Sequence, residues 1–142
     1  MQTLTIDMMK EIMKYDFIAC NASLYKLNSR DNLHQVKDNN CENIIRYNVK
    51  EQAYYLNDLS EKYSPVKIIP IFTFDDIIEQ LEKVIIVPHE DGKYYFHLSY
   101  NDKNLWCCYY QSNQFDFIHF VTGTTQLEAV YKQLLNQIKR RK

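Results

Sequence analysis

Near the start of the chain the apolar residues Ile6, Met9, Ile12, Met13 and Phe17 return every three or four places, a spacing that predicts an amphipathic helix over 5–18. An Asn-rich segment over 28–43 then breaks the pattern and reads as a long loop. Beyond it, Asn48 and Glu51 stand at the separation of a helix-opening capping box, and Val49, Ala53, Leu56, Leu59 and Tyr63 continue at helical intervals up to Pro65. A second helix is expected there. The β-branched run from Val66 to Ile71 predicts a short strand, and Thr73 follows where an N-cap hydroxyl would meet the amide near Asp76. Phe74, Ile77, Ile78 and Leu81 then form the buried face of a third helix.

From Val84 the period changes to two. Asp91-Gly92 marks a turn between "KVIIVP" and "KYYFHLSY", and "NDKN" and "QSNQ" mark two more, separating strands near 94–100, 105–110 and 115–121. Thr125 and Glu128 make a further capping box, and Leu127, Val130, Tyr131, Leu134, Leu135 and Ile138 form the clearest helical stripe of the chain. The expected fold is one α+β domain over 1–142: a four-stranded antiparallel meander over about 84–121, flanked by helices, with the N-terminal part helical.

If each meander turn is a four-residue loop, Tyr100 faces Leu105 and Tyr110 faces Phe115, and alternation divides the side chains between two faces. Phe96, Leu98, Tyr100, Leu105, Cys107, Tyr109, Ile118 and Phe120 fall on the more apolar face, which the third and last helices would cover. Tyr95, His97, Ser99, Trp106, Cys108, Tyr110, Phe115, Phe117 and His119 fall on the other. That second face is rich in rings that also carry polar tips. Either the N-terminal helices bury it or part of it stays open as a binding surface, and the candidate partner-binding residues are Tyr95, His97, Trp106, Tyr110 and His119.

Composition narrows the function classes. Apolar residues make up 46% and charged residues 25% of the 142, figures of a folding chain rather than a disordered one. With 17 basic against 18 acidic residues, the net charge of -1 offers no general attraction to nucleic acid or to an anionic membrane. The basic run Lys139 to Lys142 suits a helix C-terminus. No apolar stretch is long enough to span a bilayer and the start lacks the order of a secretory signal, so the expectation is a cytoplasmic protein with reduced Cys20, Cys41, Cys107 and Cys108.

The expected register also gathers His97, Cys108 and His119, which would suit zinc only with a fourth ligand, or a cysteine nucleophile only with an oxyanion site that no glycine-rich turn supplies. Asp75 and Asp76 at a helix start, and Glu90 and Asp91 before a turn glycine, read as structural. Gly92 and Gly123 alone build no nucleotide loop. No catalytic residue, metal or cofactor is therefore expected, and the few basic residues beside the rings disfavour single-stranded nucleic acid.

The segments "PIFTFDDIIEQL", "NLWCCYY" and "VTGTTQLEAVYKQLL" resemble parts of small uncharacterised accessory proteins of bacteriophages and other bacterial mobile elements. The resemblance covers 70–139 and rests on a Pro, aromatic, Ser/Thr helix start, a Trp-containing aromatic strand and a closing Thr-x-x-Glu-Ala helix. Glu82-Lys83 departs from it, where a proline often follows the helix. It implies a compact α+β protein that acts by binding, such as a modulator or inhibitor of a host protein. A small ligand or metal held between the sheet and the N-terminal helices is the alternative, and a homodimer that hides the aromatic face is a third expectation.

Overall fold

The computed structural model describes residues 2–37, 42–87 and 92–141. Cys41 and the expected turn residues Glu90 and Asp91 lie outside these. The class is α+β, with three helices and two antiparallel sheets, one of five strands and one of four. The chain falls into two compact units, 1–76 and 77–142, each built around one sheet.

In the first unit, helix α1 (Ile6–Met13) starts where Thr5 Oγ1 accepts the Met8 amide at 3.1 Å. It ends before the expected limit, with Asp16 in the left-handed region at φ 62°. Met9 and Ile12 are its buried side chains. The sheet runs β2-β1-β5-β4-β3 through β1 (Leu24–Lys26), β2 (His34–Gln35), β3 (Asn43–Asn48), β4 (Ala53–Asp58) and β5 (Val66–Ile71). Its core gathers Leu4, Leu24, Ile45, Tyr54, Ile68, Ile71 and Phe72.

The expected second helix is not formed: β3 and β4 make a hairpin, and β2 lies in the expected loop. Asn48 Oδ1 does accept the Glu51 amide at 3.0 Å, as a helix cap would, but the bond closes a turn that Gln52 leaves at φ 51°. A side-chain oxygen bonded to the amide three residues on is common to helix starts and β-turns. What decides between them is the β-favouring Tyr47, Tyr54 and Tyr55; the rings of Tyr47 and Tyr54 meet across the ladder at 4.8 Å.

Helix α2 (Phe74–Gln80) follows β5 through a reciprocal cap. Asp76 N–H donates to Thr73 Oγ1 at 3.1 Å, and Thr73 N–H donates to Asp76 Oδ2 at 2.9 Å. The buried Asp76 carboxylate also accepts from the Ser23 amide at 2.9 Å and from its hydroxyl, which ties β1 to the helix start.

The second unit contains the expected meander: β6 (Val84–Ile86), β7 (Lys93–Tyr100), β8 (Trp106–Gln111) and β9 (Phe117–Gly123), in that order. Helix α3 (Gln126–Arg140) packs on it. Thr125 Oγ1 accepts the Glu128 amide at 3.0 Å and Glu128 Oε2 accepts the Thr124 hydroxyl at 2.8 Å, close to the expected capping box. Val130, Leu134 and Ile138 of the predicted stripe are buried, as are Ala129, Gln133 and Gln137. Gln137 Nε2 donates to Gln80 O at 3.1 Å while its Oε1 accepts the Glu82 amide at 2.9 Å, so one buried amide fixes the chain between α2 and β6.

Gly123 lies against the first turn of α3. A Cβ there would lie 2.6 Å from Ala129 N and 3.0 Å from the Glu128 backbone, a clash no side-chain rotation relieves. Gly123→Ala is therefore expected to lower unfolding stability by about 2 kcal/mol in urea titration, a typical overpacking cost; an unchanged midpoint would show that α3 does not rest on this backbone.

Candidate functional site

The β7–β8 and β8–β9 hairpins are built alike, and their geometry decides which residues share a face. Asn101 N–H donates to Leu105 O at 2.9 Å and Ser112 N–H donates to Asp116 O at 2.9 Å, so each loop holds three residues rather than four. In the first, Asn101 Oδ1 accepts the amides of Lys103 and Leu105 at 2.9 and 3.0 Å. In the second, Ser112 Oγ accepts those of Gln114 and Asp116 at 3.3 and 3.2 Å. The last loop residue is left-handed in each: Asn104 at φ 63° and Phe115 at φ 66°.

The shorter loop moves the register by one, and that shift exchanges faces. Tyr100 pairs with Trp106, Leu98 with Cys108 and Phe96 with Tyr110, not Tyr100 with Leu105 as four-residue loops required. One face therefore carries Tyr94, Phe96, Leu98, Trp106, Cys108 and Tyr110, and α3 covers it. Tyr110 is fully buried and donates its hydroxyl to Glu82 O at 2.6 Å. Of the five expected contact residues, Trp106, Tyr110 and His119 belong to this covered side; only Tyr95 and His97 lie on the open one.

A bulge in β9 completes the arrangement. Cys108 pairs with Val121 and Tyr110 with Ile118, leaving His119 and Phe120 together opposite Tyr109. His119 takes φ 56°, and its ring meets Tyr110 edge-on at 6.3 Å on the covered side. Burial, and after it the Arg140 guanidinium, holds this imidazole below its ordinary pKa. Gln133 Nε2 donates to His119 O at 2.6 Å and to Cys108 O at 3.2 Å, so the buried helix amide binds the irregular backbone.

The consequence on the open side is a cluster of rings. Phe117 and Phe120 are an odd number of residues apart and would point oppositely along a regular strand; the bulge brings both against Tyr109, at centroid distances of 5.6 Å each. His97 stacks on the same Tyr109 ring at 5.4 Å and 9°. Tyr95, Val84 and Ile86 continue the face through the β6–β7 ladder. Phe117 is 59% exposed, Phe120 54% and Tyr95 39%, and Phe115 at the hairpin tip is 77% exposed. Lys93 is the charged residue paired on this face, and it lies at the β7 end.

Tyr109 and Phe120, placed by the expected register on the covered face, are thus central to the open one, and the hairpin loop length is the signal that would have placed Tyr109. The same shift separates the trio His97, Cys108 and His119: His97 is on the open face, the others are beneath it. Burial pushes the Cys108 thiol up to about 12, which opposes a nucleophilic role for this sulfur. Among the described residues no group of three His, Cys, Asp or Glu side chains converges as a metal site, and no helix is long and apolar enough to cross a membrane. No protein-family profile matches the chain, and no curated protein or solved structure matches it either.

Phe115 is an unusual occupant of its position. Asn104 tolerates the left-handed region at the equivalent place, whereas a bulky side chain there costs about 1 kcal/mol. Phe115→Asn is expected to raise unfolding stability by roughly 1 kcal/mol with an unchanged urea m-value. A loss of stability would mean that the ring makes a compensating contact.

Proposed function

We propose that this chain is a non-enzymatic protein-binding factor that docks a host protein on the open face of its second sheet, through Tyr95, His97, Tyr109, Phe117 and Phe120 with Phe115 at the rim. The observation that carries the reading is the exposed ring cluster around Tyr109, assembled by a backbone bulge, with Lys93 as the charged residue paired on this face among the described residues. At about 200 Å² for a fully exposed large side chain, its open residues present on the order of 600 Å² of apolar surface. That approaches the ~800 Å² each partner buries in a standard interface. Stacked rings lose little rotamer freedom on contact, so such a face binds at low entropic cost.

The edge of β9 is already engaged by the chain itself. Lys132 Nζ donates to Thr122 O at 2.9 Å, which favours side-chain docking on the face over strand addition at this edge. The resemblance of 70–139 to phage and mobile-element accessory proteins supplies the setting of the proposal: a modulator or inhibitor of a bacterial protein, working in the cytoplasm.

A photo-crosslinking amino acid placed at 117, and as a control at Tyr100 on the other face, tests this in bacterial lysate. A discrete crosslinked product is expected from position 117 and not from position 100, and Tyr109→Ala should weaken the isolated complex about thirtyfold, the scale of a ~2 kcal/mol hot spot. A crosslinked dimer of the chain would assign the face to self-association, and equal labelling from both positions would remove it as the docking site.

A further inference from the structure

We infer that the first unit binds an extended peptide segment of a partner protein as an added β-strand between β2 and β3. The sheet order β2-β1-β5-β4-β3 makes these two strands its edges, yet Gln35, Val36 and Lys37 at the end of β2 and Asn43, Ile44 and Ile45 of β3 line one groove of about 540 Å³. The sheet therefore curls until its edges face each other. Side chains alternate between the faces of a strand, so successive residues line a single groove where it runs along the strand's edge.

The gap follows from strand direction. Each neighbouring pair in this sheet is antiparallel, and the four pairings that lead from β2 to β3 leave these two running the same way. Parallel neighbours need a crossover of about a dozen residues or more, whereas residues 36–42 alone join β2 to β3. Direct pairing is thereby excluded, and one strand antiparallel to both fits between them.

The backbone groups stand ready for that strand. Leu59 N–H donates to Glu42 O at 3.0 Å, which sets the phase of the β3–β4 ladder: Ile44 and Arg46 bond to β4, while Asn43, Ile45 and Tyr47 direct their amides and carbonyls away from it. Tyr47 gives its amide to the Cys20 thiol, but no described residue bonds the outward groups of Asn43 and Ile45. Likewise Val36 N–H donates to Ser23 O at 2.9 Å, so Gln35 directs its backbone groups away from β1. Ala22, Leu24, Val36 and Ile45, all buried, close the floor of the groove. They offer little apolar area, yet they keep water from one side of the edge, where hydrogen bonds are stronger for it. Recognition thus rests on an extended backbone, with small side chains at alternate positions over the floor. The facing walls admit a lone segment and not the edge of another folded sheet.

Amide hydrogen exchange of the full chain, with and without an acetylated and amidated heptapeptide of alternating valine and threonine, tests the inference. In the free chain Ile44 and Arg46 are expected to exchange at least tenfold more slowly than Asn43 and Ile45, and the peptide should slow Asn43, Ile45 and Gln35 at least tenfold. The same peptide N-methylated at alternate residues keeps its side chains but loses the donors of one edge, and should bind at least tenfold more weakly. Asn43→Pro, a substitution tolerated at a strand start, should weaken binding at least fivefold, and Phe117→Ser with Phe120→Ser should leave it unchanged. Equal protection of Ile44 and Ile45 in the free chain, no slowing at these amides with peptide, or equal binding of the methylated peptide would overturn the added strand without bearing on the docking face.

Discussion

The second unit depends on one buried amide. Gln133 enters the sheet from α3 and donates to the carbonyls of Cys108 and His119, so the β9 bulge is not left with an unsatisfied oxygen in the core. A bulge costs ladder pairing, and burying a polar group without a partner costs more, on the order of 1–3 kcal/mol. With Gln133 in place the Cys108 and His119 carbonyls are satisfied, and Phe117 and Phe120 both face outward around Tyr109. The helix that buries one side of the sheet thereby shapes the other.

That coupling explains which part of the site was legible from the sequence. Strand positions in the meander followed from alternation and turn residues, and α3 followed from its capping box and stripe. Face assignment needed something finer. Asn101 and Ser112 each receive two amides in a three-residue loop, and one residue fewer than a four-residue loop is enough to send Trp106 and Tyr110 beneath α3 and bring Tyr109 to the surface. Tyr95 and His97, on the strand whose alternation set the frame, kept their place. The bulge carried no mark at all: no glycine stands at His119, and its left-handed backbone is sustained by tertiary hydrogen bonding.

In the first unit the limit was of another kind. The apolar spacing from Val49 to Tyr63 and the Asn48–Glu51 pair satisfied the helical pattern, yet the segment is a hairpin. Periodicity over a short stretch is compatible with both structures, and long-range pairing decides: β4 lies between β3 and β5, and an isolated helix of that length draws little stability from its own hydrogen bonds. Thr73 and Asp76 were readable because their reciprocal cap is entirely local.

The two equivalent turn positions, Asn104 and Phe115, carry residues of opposite fitness for the same backbone. Both hairpins use the same hydrogen-bond scheme, so the backbone asks the same of both residues, and Asn meets it at lower conformational cost than Phe. Packing does not account for the phenylalanine, because Phe115 is more exposed than Phe117 or Phe120. A strained, solvent-facing ring at the hairpin tip opposes both folding preference and hydration. Stability alone would favour a polar residue there; under the proposed docking, a partner's contact with the ring would offset what the free chain spends on holding it.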